Sequence, residues 1–269
     1  MSATDKSKAK TFRKDSSVSQ SFILPTPATH RQTCISAAVK RYRYLRRLLK
    51  FDQMDFEFAF WQMTYLFISP QKVYRNFQYR KQMKSQFARD DPAFFVLLLI
   101  WLVISSIGFI FVLGLSAGAF IKFLLYILFV DCIFVGLCVA TILWFVSNRY
   151  LIKPSCRGQD VEWGYAFDVH LNAFFPPLII LHVVQLFFYN VFISQDWFIS
   201  RLLGNSLWFI SFTYYIYITF LGYGSLQILH KTQLFLMPIF LIIFAFILSL
   251  ILRWNVTESV MNFYMYRVM

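Results

Sequence analysis

Five stretches of the chain stay apolar long enough to cross roughly 30 Å of hydrocarbon, which takes about 20 helical residues. They lie near residues 93–115, 123–147, 174–193, 202–223 and 233–252. Asp90, Asp91 and Pro92 mark the first boundary, with an acidic N-cap and a proline at the first helical position, where its missing N–H costs nothing. Pro176 and Pro177 are expected to open the third span in the same way. Pro238 lies about a turn inside the fifth and should start or kink it. The connection 148–173 reads as a polar loop, and residues 253–269 as a short tail.

Two weaker patterns precede the spans. Wound at 100° per residue, residues 40–51 put Lys40, Arg43, Arg46, Arg47 and Lys50 on one side. Tyr42, Tyr44, Leu45, Leu48, Leu49 and Phe51 take the other, and Arg41 alone breaks the division. That is the signature of a helix lying on a membrane. The run Met54 to Ile68 is too short to span and is interrupted by Asp55, Glu57 and Gln62 before Pro70 stops it. The pattern predicts an all-α membrane protein: a tail over 1–37, a basic and aromatic platform over 38–92, and a bundle of five transmembrane helices over 93–252.

Composition agrees, since 58% of the 269 residues are hydrophobic and 20% aromatic, well above a soluble domain. The net charge of +13 is segregated, with 18 of the 26 Lys and Arg in residues 1–90. The cytosolic excess of basic residues then sets the N-terminus in the cytosol and the C-terminus in the lumen. No secretory apolar region occurs in the first 39 residues, so the first span is expected to do the targeting. Cys34, Cys132, Cys138 and Cys156 form no CxxC pair, and no metal or cofactor follows from any of these patterns.

The basic face of Lys40, Arg43, Arg46, Arg47 and Lys50, with Trp61 and the loop residues Trp163 and Tyr165, is the candidate docking surface for lipid and cytosolic partners. Basic residues alternating with tyrosine, as in KRYRY, also suit phosphate contact with base stacking, so RNA is the alternative partner. Inside the spans, Asp131 costs on the order of 3 kcal/mol and should find a partner on another span, or a proton. His182 and Gln185 share one face of the third span with Phe175, Leu178 and Tyr189. Asn205 opens the fourth, and Tyr214, Tyr215 and Tyr217 add hydroxyls. These groups read as interhelical hydrogen bonds, with a proton or ion path over Asp131 and His182 as the competing use. Glu162, Asp168, His170 and Asn172 in VEWGYAFDVHLNAFFP are not spaced as ligands on one helical face. The sequon at Asn255, Val256 and Thr257 lies too close to the last span for glycosylation.

The strings KRYRYLRRLLKFDQMDFEFAFWQMTYLFISPQKVYRNFQYRKQ, ARDDPAF, VEWGYAFDVHLNAFFP, YYIYITFLGY and FYMYRV resemble the uncoordinated-fifty family of multi-pass Golgi membrane proteins, from about residue 38 to the C-terminus. The resemblance implies a five-span protein of the early secretory pathway. It further implies a part in surface delivery of nicotinic acetylcholine receptors and in recruiting large Arf guanine-nucleotide exchange factors. RNA binding and an inner nuclear membrane location are also attributed to the family. No enzymatic activity is attached to it, so no catalytic residues carry over.

Overall fold

The computed structural model describes residues 51–76, 91–156 and 158–268, all of them within one compact unit covering residues 41–269. The basic helix expected at 40–50, with Lys40, Arg43, Arg46, Arg47 and Lys50, lies outside the described residues. The described chain is helical, apart from short connections and one isolated antiparallel bridge between Ile152 and Leu229.

Helix α1 (Phe56–Ile68) starts at Asp55, whose Oδ1 accepts from the Phe58 N–H at 2.9 Å. Pro70 then begins α2 (residues 70–76), where its ring suits a first helical position. Helix α3 (Ala93–Leu113) is started by Asp91, whose Oδ1 accepts from the Ala93 N–H at 3.0 Å. The other oxygen of the same carboxylate accepts from the Asp55 N–H at 2.9 Å, so one side chain ties the starts of α1 and α3 together. Helix α3 stops at Gly114, whose φ of +62° is a left-handed cap that a Cβ would disfavour. Ser116 opens α4 (Ala117–Leu151) by accepting from the Ala119 N–H.

Helix α5 runs from Trp163 to Ile193, eleven residues ahead of the expected start at 174, and this corrects the reading of 148–173 as a loop. Pro176 and Pro177 sit inside it rather than at its start. Two internal prolines withhold donors from two carbonyls, at about 3 kcal/mol or more each in an isolated helix. Here the segment is held by its neighbours: from Tyr165 to Leu178 it is buried almost throughout. A wider, π-type turn follows at Ile180–Val184, and another ends the helix at Tyr189–Ile193. Helix α6 (Phe198–Gly224) and helix α7 (Thr232–Ile251) follow, α7 becoming α-helical at Pro238. The tail expected after residue 252 is instead a helix, α8 (Val256–Val268).

Helices α3, α4, α5 and α7 are long and apolar enough to cross a membrane. Helix α6 has the length, 27 residues, about 40 Å at 1.5 Å per residue, but it is not among those four. Asn205, Tyr214, Tyr215 and Tyr217 on it bond to neighbouring elements, while the buried hydroxyls of Ser211, Thr213 and Tyr223 have no hydrogen-bond partner among the described residues. Taking the end where α3 begins as the near end, α5 and α6 run antiparallel. Tyr165 donates to the Gly222 carbonyl there (2.6 Å), while at the far end Ile193 packs against Gly204. Helix α7 returns along α6, with Phe235 stacked on Tyr223 (centroids 4.5 Å) near and Ser249 bonded to Asn205 far. One apolar core joins α1, α3, α5 and the far half of α4 with α8. A second fills the near end around Leu151, Val161, Tyr165, Tyr223 and Phe235.

Candidate functional site

Polar side chains inside the bundle form a seam along α5 and α6, met by α1 and α2 at one half and by the segment after α7 at the other. At the near half, Gln62 of α1 donates to Asn172 Oδ1 at 2.7 Å, both residues being buried. Asn172 also reaches the Tyr74 hydroxyl of α2 at 3.4 Å. Tyr214 of α6 donates to the carbonyls of Leu66 (3.0 Å) and Phe67 (2.9 Å). Those are carbonyls in the last turn of α1, which lack partners within the helix. Gln71 donates to the Tyr217 hydroxyl at 3.0 Å. The tyrosine cluster of α6 is therefore a dock for the break between α1 and α2, and Tyr215 turns inward to His170 Nδ1 at 2.8 Å.

At the far half, the C-terminal segment supplies the partners. Tyr264 of α8 donates to Asp131 at 2.8 Å; of the two expectations, a partner on another span or a proton, the first is corrected, since the bonded side chain lies on α8 and not on a span. The Gln185 oxygen accepts from the Thr257 hydroxyl and from Trp208 Nε1 at 3.2 Å, and its nitrogen donates to the Leu181 carbonyl. Asn205 donates to Ser249 Oγ and to the Trp254 carbonyl, each at 2.9 Å, and accepts from the Val256 N–H at 3.0 Å. Asn255 caps α8 by accepting from the Glu258 N–H, and its amide donates to the Ile193 carbonyl at 2.9 Å. Lys122 reaches the Val268 carbonyl at 3.4 Å. Three of the four intramembrane polar residues picked out in the sequence, Asp131, Gln185 and Asn205, thus meet the last 16 residues of the chain.

The fourth, His182, lies 3.4 Å from Ser105 Oγ of α3. It does not join Asp131 in a hydrogen-bonded path among the described residues. The contacts between them are rings: Tyr264 edge-on to Phe123 (5.4 Å) and Phe109 (6.4 Å), and Phe109 edge-on to His182 (5.0 Å). Of the aromatic residues proposed for docking, Trp61 is half-buried between Phe58 and Tyr65. Trp163 stacks on Phe167 at 8° and donates to Thr141. Tyr165 is buried with its hydroxyl bonded inside the bundle, so it belongs to the core and not to a docking face. Glu162 and Asp168 both have partners. Among the described residues no three His, Cys, Asp or Glu side chains converge on a metal position.

Sequence reasoning missed Gln62, Tyr74, Thr257 and Tyr264. Gln62 had a signal, a lone amide in an otherwise aromatic helix. The segment holding the sequon at 255–257 also carried one: Asn255 at an N-cap with Glu258 at the third helical position starts a helix.

The UNC-50 family model matches residues 44–265. The Drosophila melanogaster "Protein unc-50 homolog" is 61% identical over 245 residues, 91% of this chain and 89% of that protein. The human protein of the same name is 59% identical over 233 residues, 87% of this chain and 90% of its own. The Danio rerio one is 55% identical over 258 residues, 91% of this chain and 100% of its own. No solved structure matches the chain. With a family model spanning most of its length and relatives this similar over about nine tenths of it, the chain belongs to the UNC-50 family.

Proposed function

We propose that this is a Golgi protein of the early secretory pathway that acts as a membrane scaffold in protein transport. Its near-end surface recruits cytosolic machinery of the Arf exchange-factor class, and its spans hold cargo such as subunits of receptors of the nicotinic acetylcholine receptor class. The family resemblance supplies compartment, machinery and cargo. The scaffold part rests on one observation: inside the bundle, Asp131, Asn172, Gln185, Asn205 and Tyr214 are each bonded to α1 or to the segment that follows α7. Polar residues on a transport path face a water-filled cavity or each other; here Asp131 and His182 are parted by aromatic rings.

On this reading α6 is a fifth crossing, because it runs antiparallel to the spanning helix α5 with contacts at both ends. Five crossings leave the basic N-terminal region and the C-terminal helix on opposite sides, and the Lys and Arg excess assigns the former to the cytosol. Lys72 and Arg75 of α2 are exposed and add two further basic side chains to this part of the chain. The test is charge reversal of Arg43, Arg46, Arg47 and Lys50. Recruitment of an Arf exchange factor to Golgi membranes should be lost while the variant still inserts and folds; unchanged recruitment refutes the proposal. Ion flux in proteoliposomes that disappears with Asp131→Asn would overturn the scaffold reading as well.

A further inference from the structure

Helix α8 has a face that the bundle leaves uncovered. Thr257, Met261 and Val268 are buried against the spans, with Tyr264 reaching Asp131 beside them. At 100° per residue the uncovered arc divides into two flanks. Glu258 and Asn262, both exposed, form one. Phe263, 43% exposed, lies on the other with Val256, Val260 and Arg267, whose guanidinium sits 5.3 Å from the Phe263 ring. Tyr266, 82% exposed, stands between them.

The surroundings continue the pattern. Trp197 (67% exposed) and Phe198 stand at the turn between α5 and α6, and Trp254 (53%) at the turn between α7 and α8. Phe263 also meets Tyr126 of α4 at 6.2 Å, next to the exposed Leu125 and Phe129 on that span. The apolar flank of α8 is therefore continuous with an exposed apolar surface of α4, and exposed tryptophans mark the same end of the bundle. Trp and Tyr concentrate where hydrocarbon gives way to headgroups.

We infer that α8 lies in the membrane interface at the far end, with Phe263, Val256 and Val260 set into the headgroup–acyl boundary and Glu258 and Asn262 in water. The occupant of its free face is the phospholipid layer that the spans already cross, with the Arg267 side chain positioned for lipid phosphate. The C-terminal helix thereby seals polar groups of α4, α5 and α6 from below while resting on lipid from the side. Placement at depth requires no particular leaflet, so it stands apart from the cytosolic or lumenal assignment of that end.

Full-length protein in phosphatidylcholine nanodiscs, with Cys34, Cys138 and Cys156 replaced by serine, carries a nitroxide in turn at Glu258→Cys, Val260→Cys, Asn262→Cys and Phe263→Cys. Collision rates with dissolved oxygen and with a water-soluble nickel chelate are compared at each site. The inference predicts oxygen in excess at 260 and 263 and nickel in excess at 258 and 262, a sign reversal following the helical period. Nickel in excess at all four sites would put the helix in water, and protection from both reagents at 260 and 263 would mean a protein covers it; either outcome overturns the inference. A monodisperse elution profile and native-like melting qualify each labelled variant as folded, and Tyr266→Cys supplies a further site on the same helix.

Discussion

Tyr264→Phe removes one oxygen atom from α8 and with it the donor to Asp131. The ring contacts of Tyr264 with Phe109, Phe123, Tyr126 and Phe263 stay in place, so the change isolates the hydrogen bond. A carboxyl group left inside the bundle without that donor loses about 1 kcal/mol if neutral and about 1.5–3 kcal/mol if ionised. That corresponds to roughly a five- to 150-fold shift in the unfolding equilibrium. Asp131→Leu removes the group that needs the donor, so the double variant Asp131→Leu with Tyr264→Phe should be no less stable than Asp131→Leu alone. The assay is reversible unfolding in mixed micelles titrated with denaturing detergent, read as a double-mutant cycle. A coupling energy near zero, or Tyr264→Phe within a few tenths of a kcal/mol of the parent, refutes the claim that α8 satisfies Asp131.

The remaining predictions concern packing and the sequon. A Cβ at Gly136 would lie 2.6 Å from His170 Nε2, and one at Gly222 2.7 Å from Val169 Cγ1, whereas Gly118 has nothing within 4 Å. Gly136→Ala and Gly222→Ala should therefore cost about 1–3 kcal/mol each and lower the melting temperature, while Gly118→Ala should not. Gln62→Leu or Asn172→Leu alone strands a buried amide and should cost about 1–3 kcal/mol; the two together should be less damaging than their sum, and strict additivity in thermal melts would contradict the pairing. Asn255, 8% exposed and bonded to Ile193 and Glu258, should carry no glycan: endoglycosidase treatment should leave gel mobility unchanged, and a shift would contradict the buried cap.

The long apolar runs were legible because a crossing of about 20 residues has few alternatives, and Asp91 with Gly114 bounded α3 by local chemistry alone. The start of α5 was not legible, since Pro176 and Pro177 locally signal a boundary and only the packing of Tyr165, Val169 and Ala173 against other helices outweighs them. Helix α6 was legible as an apolar stretch of the bundle, but the role of its polar residues was not. Its Asn205, Tyr214, Tyr215 and Tyr217 lower its apolar content because they bond to α8, α1, α5 and α2. The polar residues of the spans could be found in sequence, but their partners could not. Gln62 lies 110 positions from Asn172 and Tyr264 lies 133 from Asp131, and no local pattern links residues so far apart. Tyr165 was placed on the surface because a Trp–Tyr pair in a presumed loop suggests docking; one turn of helix instead directs it to Gly222.

Whether α6 crosses decides the five-span account, and one labelling experiment addresses it directly. In the background lacking Cys34, Cys138 and Cys156, which keeps only the buried Cys132, one cysteine at a time replaces three exposed residues: Gly158 before α5, Gln195 before α6 and Gln227 after it. Sealed membrane vesicles from expressing cells, cytosolic face outward, are treated with a membrane-impermeant maleimide before and after permeabilisation. The account predicts immediate labelling at 158 and 227 and labelling at 195 only once the membrane is opened. Equal labelling of 195 and 227 in sealed vesicles would contradict it, returning the chain to four crossings with both termini on one side.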